Sequence, residues 1–272
     1  MTETVVTRPF LKWAGNKYRL LDRIRPLLSQ GGRLIEPFAG SCALFLNTDY
    51  RLTVLNDNNA DLINLYTSLQ DEASDFIDYV EQFFTVKNNN ETAYYRYRKQ
   101  FNTTDDPYLK AALFIYMNRH GFNGLCRYNN SGGFNVPFGR YKRPYFPRQE
   151  MQLFAEKSRQ ARFTNESFMV AMRKARRGDV VYCDPPYVPL TRTANFTAYS
   201  AGGFTQADQL ALVEQAQKLA ARGVRVIISN HDTPFTQQAY RDAVCTRFKV
   251  RRTISCNGAR RGHAGELLAR YG

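Results

Sequence analysis

The chain has 272 residues, 43% of them hydrophobic and 14% aromatic, which is enough for a globular protein with a substantial core. We expect no membrane span and no secretory signal, because no apolar run approaches roughly 20 residues and the N-terminal segment lacks an apolar stretch. The 38 Lys and Arg against 24 Asp and Glu give a formal net charge of +14, which favours a polyanionic partner through counterion release.

Two short apolar segments near the N-terminus are typical of buried strands. The first, residues 33–38, leads into the small-residue turn Ala39-Gly40-Ser41. The second, residues 52–55, ends at Asn56-Asp57. This is the position at which an acidic side chain hydrogen-bonds a ribose in a doubly wound sheet.

The middle of the chain is predicted to be helical instead, over residues 61–69, 73–84, 92–101 and 110–119. A loop or hairpin rich in Gly, Asn and aromatic residues follows these helices. We therefore expect an inserted, mostly helical domain at 60–147 within an α/β domain formed by residues 1–59 and 148–272.

The second half of this insert combines basic and aromatic residues. Residues 107–149 contain seven Lys or Arg and ten Phe or Tyr, without any Asp or Glu. Such interleaving suits phosphate contact combined with stacking on bases. A solvated basic face over an aromatic core is the alternative interpretation.

After the insert, residues 180–183 form another strand pattern that runs directly into Asp184-Pro185-Pro186-Tyr187. A helical stretch around 206–221 and a further strand pattern at 224–229 follow. These β-α-β-like repeats predict a mostly parallel sheet.

The Asp-Pro-Pro-Tyr loop has the groups that methylation of an aromatic amine requires. An amino nitrogen conjugated to a purine is a poor nucleophile, so it needs acceptors for its hydrogens; the Asp184 carboxylate and the Pro185 carbonyl could be those acceptors. Two prolines restrict the backbone and remove competing amide donors, and Tyr187 could stack on an extruded base. An ordinary strand-to-loop turn is the alternative, since Asp-Pro is common in turns.

The five cysteines are odd in number and widely spaced, and no two of them form a C-x-x-C pair. This argues against a disulfide framework or a zinc site, so we expect no metal and a reducing, cytoplasmic location. The residues are Cys42, Cys126, Cys183, Cys245 and Cys256.

Seven segments together resemble the DNA adenine methyltransferases of the Dam type, which recognise GATC, and the resemblance covers nearly the whole chain. The segments are FLKWAGNKY at 10–18, EPFAG at 36–40, residues 118–128 and 134–145, DPPY at 184–187, TANFTAY at 193–199 and ISNHD at 228–232. Their order is that of the α group of amino-methyltransferases.

The resemblance implies a Rossmann-like class I methyltransferase sheet with an inserted DNA-recognition domain that carries a β-hairpin. The implied reaction transfers a methyl group from S-adenosyl-L-methionine to N6 of adenine in double-stranded GATC, by base flipping, and leaves S-adenosyl-L-homocysteine. A monomer without a metal is expected, associated with the nucleoid when it is bound to DNA.

The resemblance also assigns roles to individual residues. The catalytic loop is Asp184, Pro185, Pro186 and Tyr187. The cofactor-binding residues are Trp13, Ala14, Gly15, Lys17, Phe38, Ala39, Gly40, Asp57, Phe168 and Asp184. The family usually has a second glycine two positions after Gly40, where this chain has Cys42.

On the DNA side, the resemblance implies that basic side chains recognise guanine and that apolar side chains meet a thymine methyl group. The residues assigned to the bases are Lys12, Leu125, Arg127 and Pro137, with Arg140 in the same hairpin. Phe122 corresponds to a ring that enters the duplex, and Asn123 is a further DNA-binding residue. The residues assigned to phosphates are Arg98, Arg119, Asn129, Asn135 and Lys142.

Three alternatives share parts of this pattern. One is a methyltransferase that acts on the 4-amino group of cytosine. Another is an enzyme that methylates RNA or a glutamine side chain, where related Asn-Pro-Pro-Tyr motifs occur. The third is a DNA-binding relative with impaired catalysis, which the Cys42 departure motivates.

Overall fold

The computed structural model describes residues 6–187, 203–251 and 263–272. Within these residues, seven strands form one sheet in the order β3-β2-β1-β4-β5-β7-β6. The strands are β1 (Arg33–Glu36), β2 (Leu52–Asn56), β3 (Ala161–Thr164), β4 (Val180–Cys183), β5 (Arg225–His231), β6 (Val244–Arg251) and β7 (His263–Tyr271). Strands β1 to β5 are parallel to one another and β7 is antiparallel to both of its neighbours. The predicted α/β fold with a mostly parallel sheet is confirmed.

The helices lie before, between and after these strands. They are α1 (Leu21–Ile24), α2 (Ala60–Glu81), α3 (Glu91–Thr103), α4 (Pro107–His120), α5 (Arg148–Ser158), α6 (Phe168–Arg173), α7 (Gln206–Ala220) and α8 (Pro234–Ala239). The helices predicted at 61–69 and 73–84 form the single element α2, which has a non-helical residue at Ala73 (φ 23°, ψ −97°).

The central strands are buried because helices cover both faces of the sheet. Residues 180–183 of β4 are all buried, as are the five inner residues of β5. One face packs against α7, through residues such as Leu212 and Ala216, and the other packs against Leu21 and Ile24 of α1. These contacts fix the strands on which the candidate site is built.

The helices α2, α3 and α4 form an aromatic-rich core between β2 and β3 in the chain. Helix α4 is buried from Ala111 to His120 and packs against both α2 and α3. Burial of the His120 ring lowers its pKa to about 4, so this histidine is neutral. Its Nδ1 lies 3.0 Å from the Tyr116 carbonyl oxygen, and the two rings stack at 4.0 Å between centroids.

The segment after α4 differs from the predicted β-hairpin. Among the described residues it contains two isolated antiparallel bridges, Gly121↔Phe138 and Tyr128↔Phe134, rather than paired strands. Pro137 lacks an amide hydrogen, and its carbonyl accepts a hydrogen bond from Phe122 at 2.8 Å. The recognition segment is therefore a loop held by a few antiparallel hydrogen bonds.

The carboxyl ends of the parallel strands meet at one edge of the sheet. This edge contains Glu36 of β1, Asp57 after β2, Asp184 after β4 and Ser229 of β5. The strand order reverses between β1 and β4, and ligands of open α/β sheets bind at such a point. Across residues 6–187, 203–251 and 263–272, no helix is long and apolar enough to cross a bilayer.

Candidate active site and DNA interface

Asp184 follows β4 directly and lies at the point where the strand order reverses. Its Oδ1 accepts a hydrogen bond from the Ser229 hydroxyl at 2.8 Å. The Lys17 ammonium lies 2.7 Å from Oδ1 and 2.9 Å from Oδ2. The carboxylate is thus held by a neighbouring strand on one side and by a cation on the other.

Lys17 begins a 3-10 turn, Lys17–Leu20, and the Asn16 side chain caps this turn by accepting the Tyr18 N–H at 2.6 Å. The ammonium also donates to the Gly15 carbonyl at 2.7 Å. Lys17 is only 6% exposed, so its charge depends on these acceptors rather than on water. The predicted cofactor residues Gly15 and Lys17 therefore lie beside the predicted catalytic carboxylate.

Tyr187 packs against the same cation. The Lys17 ammonium lies 4.6 Å from the centroid of the Tyr187 ring. The His231 ring packs edge-on against the Tyr187 ring, with the two ring centroids 4.2 Å apart. The Tyr187 hydroxyl donates to Glu266 Oε2 at 3.1 Å. Burial, with the charges of Asp184 and Glu266, raises the pKa of Tyr187 well above its usual value, so the hydroxyl remains a donor.

The turn after β1 is joined to Asp57 by backbone hydrogen bonds. The Gly40 N–H donates to Asp57 Oδ2 and the Asn59 N–H donates to Oδ1, both at 3.0 Å. Gly40 has φ +46°, and a Cβ at this position would lie 2.9 Å from Trp13 Nε1, so only glycine fits. Burial raises the pKa of Asp57, while the backbone donors oppose that shift.

Three aromatic rings cluster beside this turn. Phe38 and Phe168 stack with centroids 5.4 Å apart. Phe204 lies edge-on to Phe38 at 5.6 Å and contacts Phe168 at 5.4 Å. The structure brings together Phe38 and Phe168, which were both predicted to bind the cofactor. Phe204 was not predicted, because it does not lie in any recognised sequence motif.

Glu36, at the end of β1, is a further acidic group that the sequence did not single out. It is 2% exposed, and its Oε1 has no hydrogen-bond partner among the described residues. Burial raises the pKa of Glu36 to about 8; the Phe45 backbone N–H lowers it and the Asp184 charge raises it. The carboxyl group is therefore protonated at neutral pH.

Lys12 connects the N-terminal segment to the insert. Its N–H donates to Asn118 Oδ1 at 2.9 Å, and Asn118 Nδ2 donates back to the Lys12 carbonyl at 2.7 Å. The Lys12 ammonium lies 4.1 Å from the centroid of the Tyr141 ring, and the Tyr141 hydroxyl accepts the Asn123 N–H at 3.0 Å. Lys12 therefore lies beside the loop that carries the other predicted base contacts.

Arg127 is held by Asn135 across the antiparallel loop. Its Nε donates to Asn135 Oδ1 at 2.8 Å and its Nη2 donates to the Asn135 carbonyl at 3.2 Å. Asn135 was predicted to contact a phosphate, a hydrogen bond that its Nδ2 would donate; its two oxygen atoms accept from Arg127. Leu125 is half-buried on the same loop, and Pro137 is exposed.

Two of the residues predicted to contact phosphates also donate to backbone carbonyls of the protein. Arg119 is 8% exposed, donates to the Phe10 carbonyl and lies over the Tyr145 ring. This burial lowers the pKa of Arg119. Arg98 is half-buried and donates to the Val136 carbonyl at 3.1 Å, so part of its guanidinium supports the loop.

The remaining predicted DNA residues are at the surface. Phe122 is 48% exposed, which is unusual for a large apolar ring. The other exposed side chains are Asn123, Asn129, Arg140 and Lys142.

The segment 193–199 and Cys256 lie outside the described residues. Cys42, Cys126, Cys183 and Cys245 are free cysteines. Within residues 6–187, 203–251 and 263–272, no group of three or more His, Cys, Asp or Glu could hold a metal ion.

The strand order, with β7 inserted antiparallel between β5 and β6, is that of the Rossmann-like methyltransferases. The family model for D12 class N6 adenine-specific DNA methyltransferases matches residues 13–254. The chain belongs to this family.

Curated relatives span nearly the same length. A DNA adenine methylase of Serratia marcescens is 52% identical over 97% of this chain and 98% of its own. DNA adenine methylases of Vibrio cholerae and Escherichia coli K12 are 50% and 49% identical over 97% of this chain and 96% and 95% of theirs. A solved structure of precorrin 8W decarboxylase from Methanobacterium thermoautotrophicum is 11% identical to this chain. It has a TM-score of 0.41 and covers 98% of this chain and 96% of its own.

Membership of the family decides between the alternatives that the sequence left open. The protein is an enzyme that transfers a methyl group to adenine N6 of DNA, rather than to cytosine, RNA or a glutamine side chain. A methyltransferase of this family uses S-adenosylmethionine as the methyl donor.

Proposed function

We propose that this enzyme methylates the adenine of GATC in double-stranded DNA after turning that base out of the helix. The observation that carries the proposal is the position of Asp184, whose carboxylate is anchored at the carboxyl edge of the sheet and followed by two prolines. A base stacked within a duplex cannot bring its amine to this edge, and extrusion of the base overcomes that obstacle.

The carboxyl edge of the sheet fits S-adenosylmethionine. Asp57 would accept hydrogens from the ribose hydroxyls, Phe38 and Phe168 would lie against the adenine ring, and Lys17 would pair with the carboxylate of the methionine end. The Glu36 Oε1, which has no partner among the described residues, is a buried polar atom that a polar ligand would satisfy. The predicted set also includes Trp13, Ala14, Gly15, Ala39 and Gly40. When bound, the cofactor supplies an electrophilic methyl group on a sulfonium.

At the target amine, the Asp184 carboxylate and the Pro185 carbonyl would each accept a hydrogen bond from one of the two N6 hydrogens. This interaction localises the nitrogen lone pair and lets the nitrogen approach sp3 geometry. Pro186 restricts the loop, and the Tyr187 ring would stack on the extruded base. Alignment of the amine with the methyl group contributes through proximity, which can lower a barrier by several kcal/mol.

On the DNA side, Lys12 and Arg127 would contact guanine, while Leu125 and Pro137 would meet the thymine methyl group. Phe122 would enter the duplex beside the extruded base, because its exposed ring can stack. The proposed phosphate contacts are Arg98, Arg119, Asn129, Asn135 and Lys142, and Arg140 lies in the same recognition segment. Arg119 also supports the insert, and Asn135 also holds Arg127.

We also propose that residues 1–59 and 148–272 are the catalytic domain and residues 60–147 the DNA-recognition domain. In support, every strand of the described sheet lies outside residues 60–147, and α2, α3 and α4 lie within that range.

The free cysteines suit a reducing cytoplasm. We propose a monomer that acts on nucleoid DNA without a metal and releases S-adenosylhomocysteine.

The test is methylation of a plasmid that lacks adenine methylation. After incubation with S-adenosylmethionine, nucleases that distinguish methylated from unmethylated GATC should report complete protection, and mass spectrometry should find N6-methyladenine. Asp184→Ala should abolish transfer and retain duplex binding, because it removes an acceptor and leaves the insert unchanged. Undiminished turnover of Asp184→Ala would refute its role, and methylation of plasmid without GATC would refute the recognition sequence.

A further inference from the structure

We infer that Ser229 is a positioning residue for methyl transfer, which fixes the Asp184 carboxylate so that Oδ2 is the oxygen that receives the adenine amine. The inference rests on the role proposed for Asp184. Ser229 lies in the motif ISNHD, to which the sequence assigned no chemistry.

Strand pairing places Ser229 beside Asp184. In the parallel pair of β4 and β5, Cys183 is opposite Ile228, so the next residue of each strand lies at the same level. Ser229 is fully buried, and its Oγ is 2.8 Å from Asp184 Oδ1. A hydroxyl on a central strand is a rigid anchor, because the strand is hydrogen-bonded on both sides.

Tyr182 sets the direction of the hydrogen bond between Ser229 Oγ and Asp184 Oδ1. The Tyr182 hydroxyl is 3.2 Å from Ser229 Oγ, which is its hydrogen-bond partner within the described part of the chain. Burial raises the pKa of Tyr182 well above its usual value, so the phenol keeps its proton and donates it. Ser229 therefore accepts from Tyr182, and its own single proton is free for another acceptor.

Two acceptors are within reach of that proton. The Asp184 Oδ1 is at 2.8 Å and the Cys183 carbonyl is at 3.3 Å. The carboxylate is closer and charged, and hydrogen bonds to ionised acceptors are shorter and stronger than neutral ones. The geometry thus gives a directed chain from Tyr182 through Ser229 to Asp184.

This chain makes the two oxygens of Asp184 unequal. Oδ1 accepts from both Ser229 and Lys17, whereas Oδ2 is approached by Lys17 among the described residues. Lys17 has a long side chain that can move towards the carboxylate of a bound cofactor, but Ser229 cannot leave its strand. If Lys17 pairs with that carboxylate, Ser229 still holds Oδ1 and leaves Oδ2 open to the amine.

The test compares Ser229→Ala with Ser158→Ala, which removes an equally buried serine hydroxyl in α5 that donates to the Ala155 carbonyl. Single-turnover methyl transfer is measured with saturating DNA and S-adenosylmethionine, together with the Kd of each ligand and the thermal midpoint. We expect Ser229→Ala to slow transfer about ten- to hundredfold, with both Kd values within about twofold of the wild type. Ser158→Ala should lower the midpoint without slowing transfer.

Tyr182→Phe provides a second measurement that does not depend on the folding of Ser229→Ala. It should slow transfer by about threefold, and it should have no further effect on the rate when combined with Ser229→Ala. An unchanged rate in Ser229→Ala overturns the inference, whatever the rate of Tyr182→Phe. If Ser229→Ala does not fold, an unchanged rate in Tyr182→Phe alone overturns it.

Asp184→Ala separates failure of this inference from failure of the proposed function. If Asp184→Ala abolishes transfer but Ser229→Ala does not slow it, Asp184 acts without help from Ser229 and only the inference fails. If Asp184→Ala retains full activity, the role of the carboxylate fails and the inference fails with it.

Discussion

The Lys17 ammonium and the Asp184 carboxylate form an ion pair at 2.7 Å, although the two residues are 167 positions apart in the sequence. Their side chains are 7% and 21% exposed, so both charges are largely withdrawn from water. The pair joins the N-terminal turn to the loop at residues 184–187. Loss of either partner leaves the other charge poorly compensated.

Replacement of Lys17 tests this pair. Lys17→Met should weaken cofactor binding at least about tenfold and lower the free energy of unfolding by about 1–3 kcal/mol, because the partly buried Asp184 loses its cation. Duplex affinity should change little. Isothermal titration with S-adenosylmethionine and fluorescence anisotropy with duplex DNA would measure the two ligands separately.

Arg19→Met is the matched control for Lys17→Met, because Arg19 lies in the same turn and is exposed. This variant should bind the cofactor as the wild type does. Wild-type cofactor affinity in Lys17→Met would show that the ammonium serves only to neutralise Asp184.

Glu36→Gln tests the buried carboxyl group at the end of β1. Burial raises the pKa of Glu36 to about 8, against an ordinary value of 4.5, so the folded protein keeps a proton that the unfolded chain releases. The free energy of unfolding should therefore fall by about 1.4 kcal/mol per pH unit between these two values and level off above the higher one. Glutamine is neutral throughout, so the variant should lack this decline and be more stable than the wild type at pH 8.

Urea denaturation across this pH range would measure the effect of Glu36→Gln. Glu91→Gln is a suitable control, since Glu91 has a side chain that is 54% exposed. Parallel stability curves for the wild type and Glu36→Gln would mean that Glu36 is ionised in the folded protein.

The sequence patterns identified four of the parallel strands but missed β7, which lies between β5 and β6 and is buried on both faces. Predicted strands at 33–38, 52–55, 180–183 and 224–229 correspond to β1, β2, β4 and β5. Strand β6 was missed because it mixes Arg and Lys with apolar residues at the edge of the sheet. Strand β3 was missed because it is only four residues long and partly exposed.

The candidate site could be predicted where its residues are contiguous in the chain, as in the loop from Asp184 to Tyr187. Ser229, Glu36 and Glu266 could not be found in this way. Each reaches the loop through strand pairing, which brings β1, β4, β5 and β7 together, and motif spacing does not specify that pairing. The inward course of Arg119 was also hidden, because a sequence does not reveal on which side of a buried helix a cation lies.

Substitutions of Cys42 test whether the cysteine, in place of the glycine usual in the family, affects stability or cofactor binding. Cys42 has φ 58° and is fully buried, with its thiol towards the Gly40 carbonyl. Cys42→Gly relieves backbone strain but loses buried side-chain atoms, so stability should stay within about 1 kcal/mol of the wild type. Cys42→Val should lose more than about 2 kcal/mol, because a β-branched side chain is strained at positive φ.

Chemical denaturation would measure the stabilities of both Cys42 variants. Cofactor affinity of Cys42→Gly should remain within about threefold of the wild type, because the thiol packs into the core. Much tighter cofactor binding by the glycine variant would show instead that the thiol intrudes on the cofactor site.

Alanine variants of Arg127 and Asn135 test how the recognition loop distinguishes one DNA sequence from another. Arg127→Ala should reduce discrimination at one guanine of the proposed GATC site by about 1–3 kcal/mol, because the proposed bidentate contact is lost. Asn135→Ala should have the same effect to a smaller degree, since it frees Arg127 Nε from its acceptor at 2.8 Å.

Lys142→Ala changes an exposed side chain that is a proposed phosphate contact. It should weaken binding to all duplexes equally and reduce the salt dependence of binding by about one phosphate contact. Competition between GATC duplexes with single-base changes at several salt concentrations separates these results, and a uniform loss in Arg127→Ala would make Arg127 a phosphate contact.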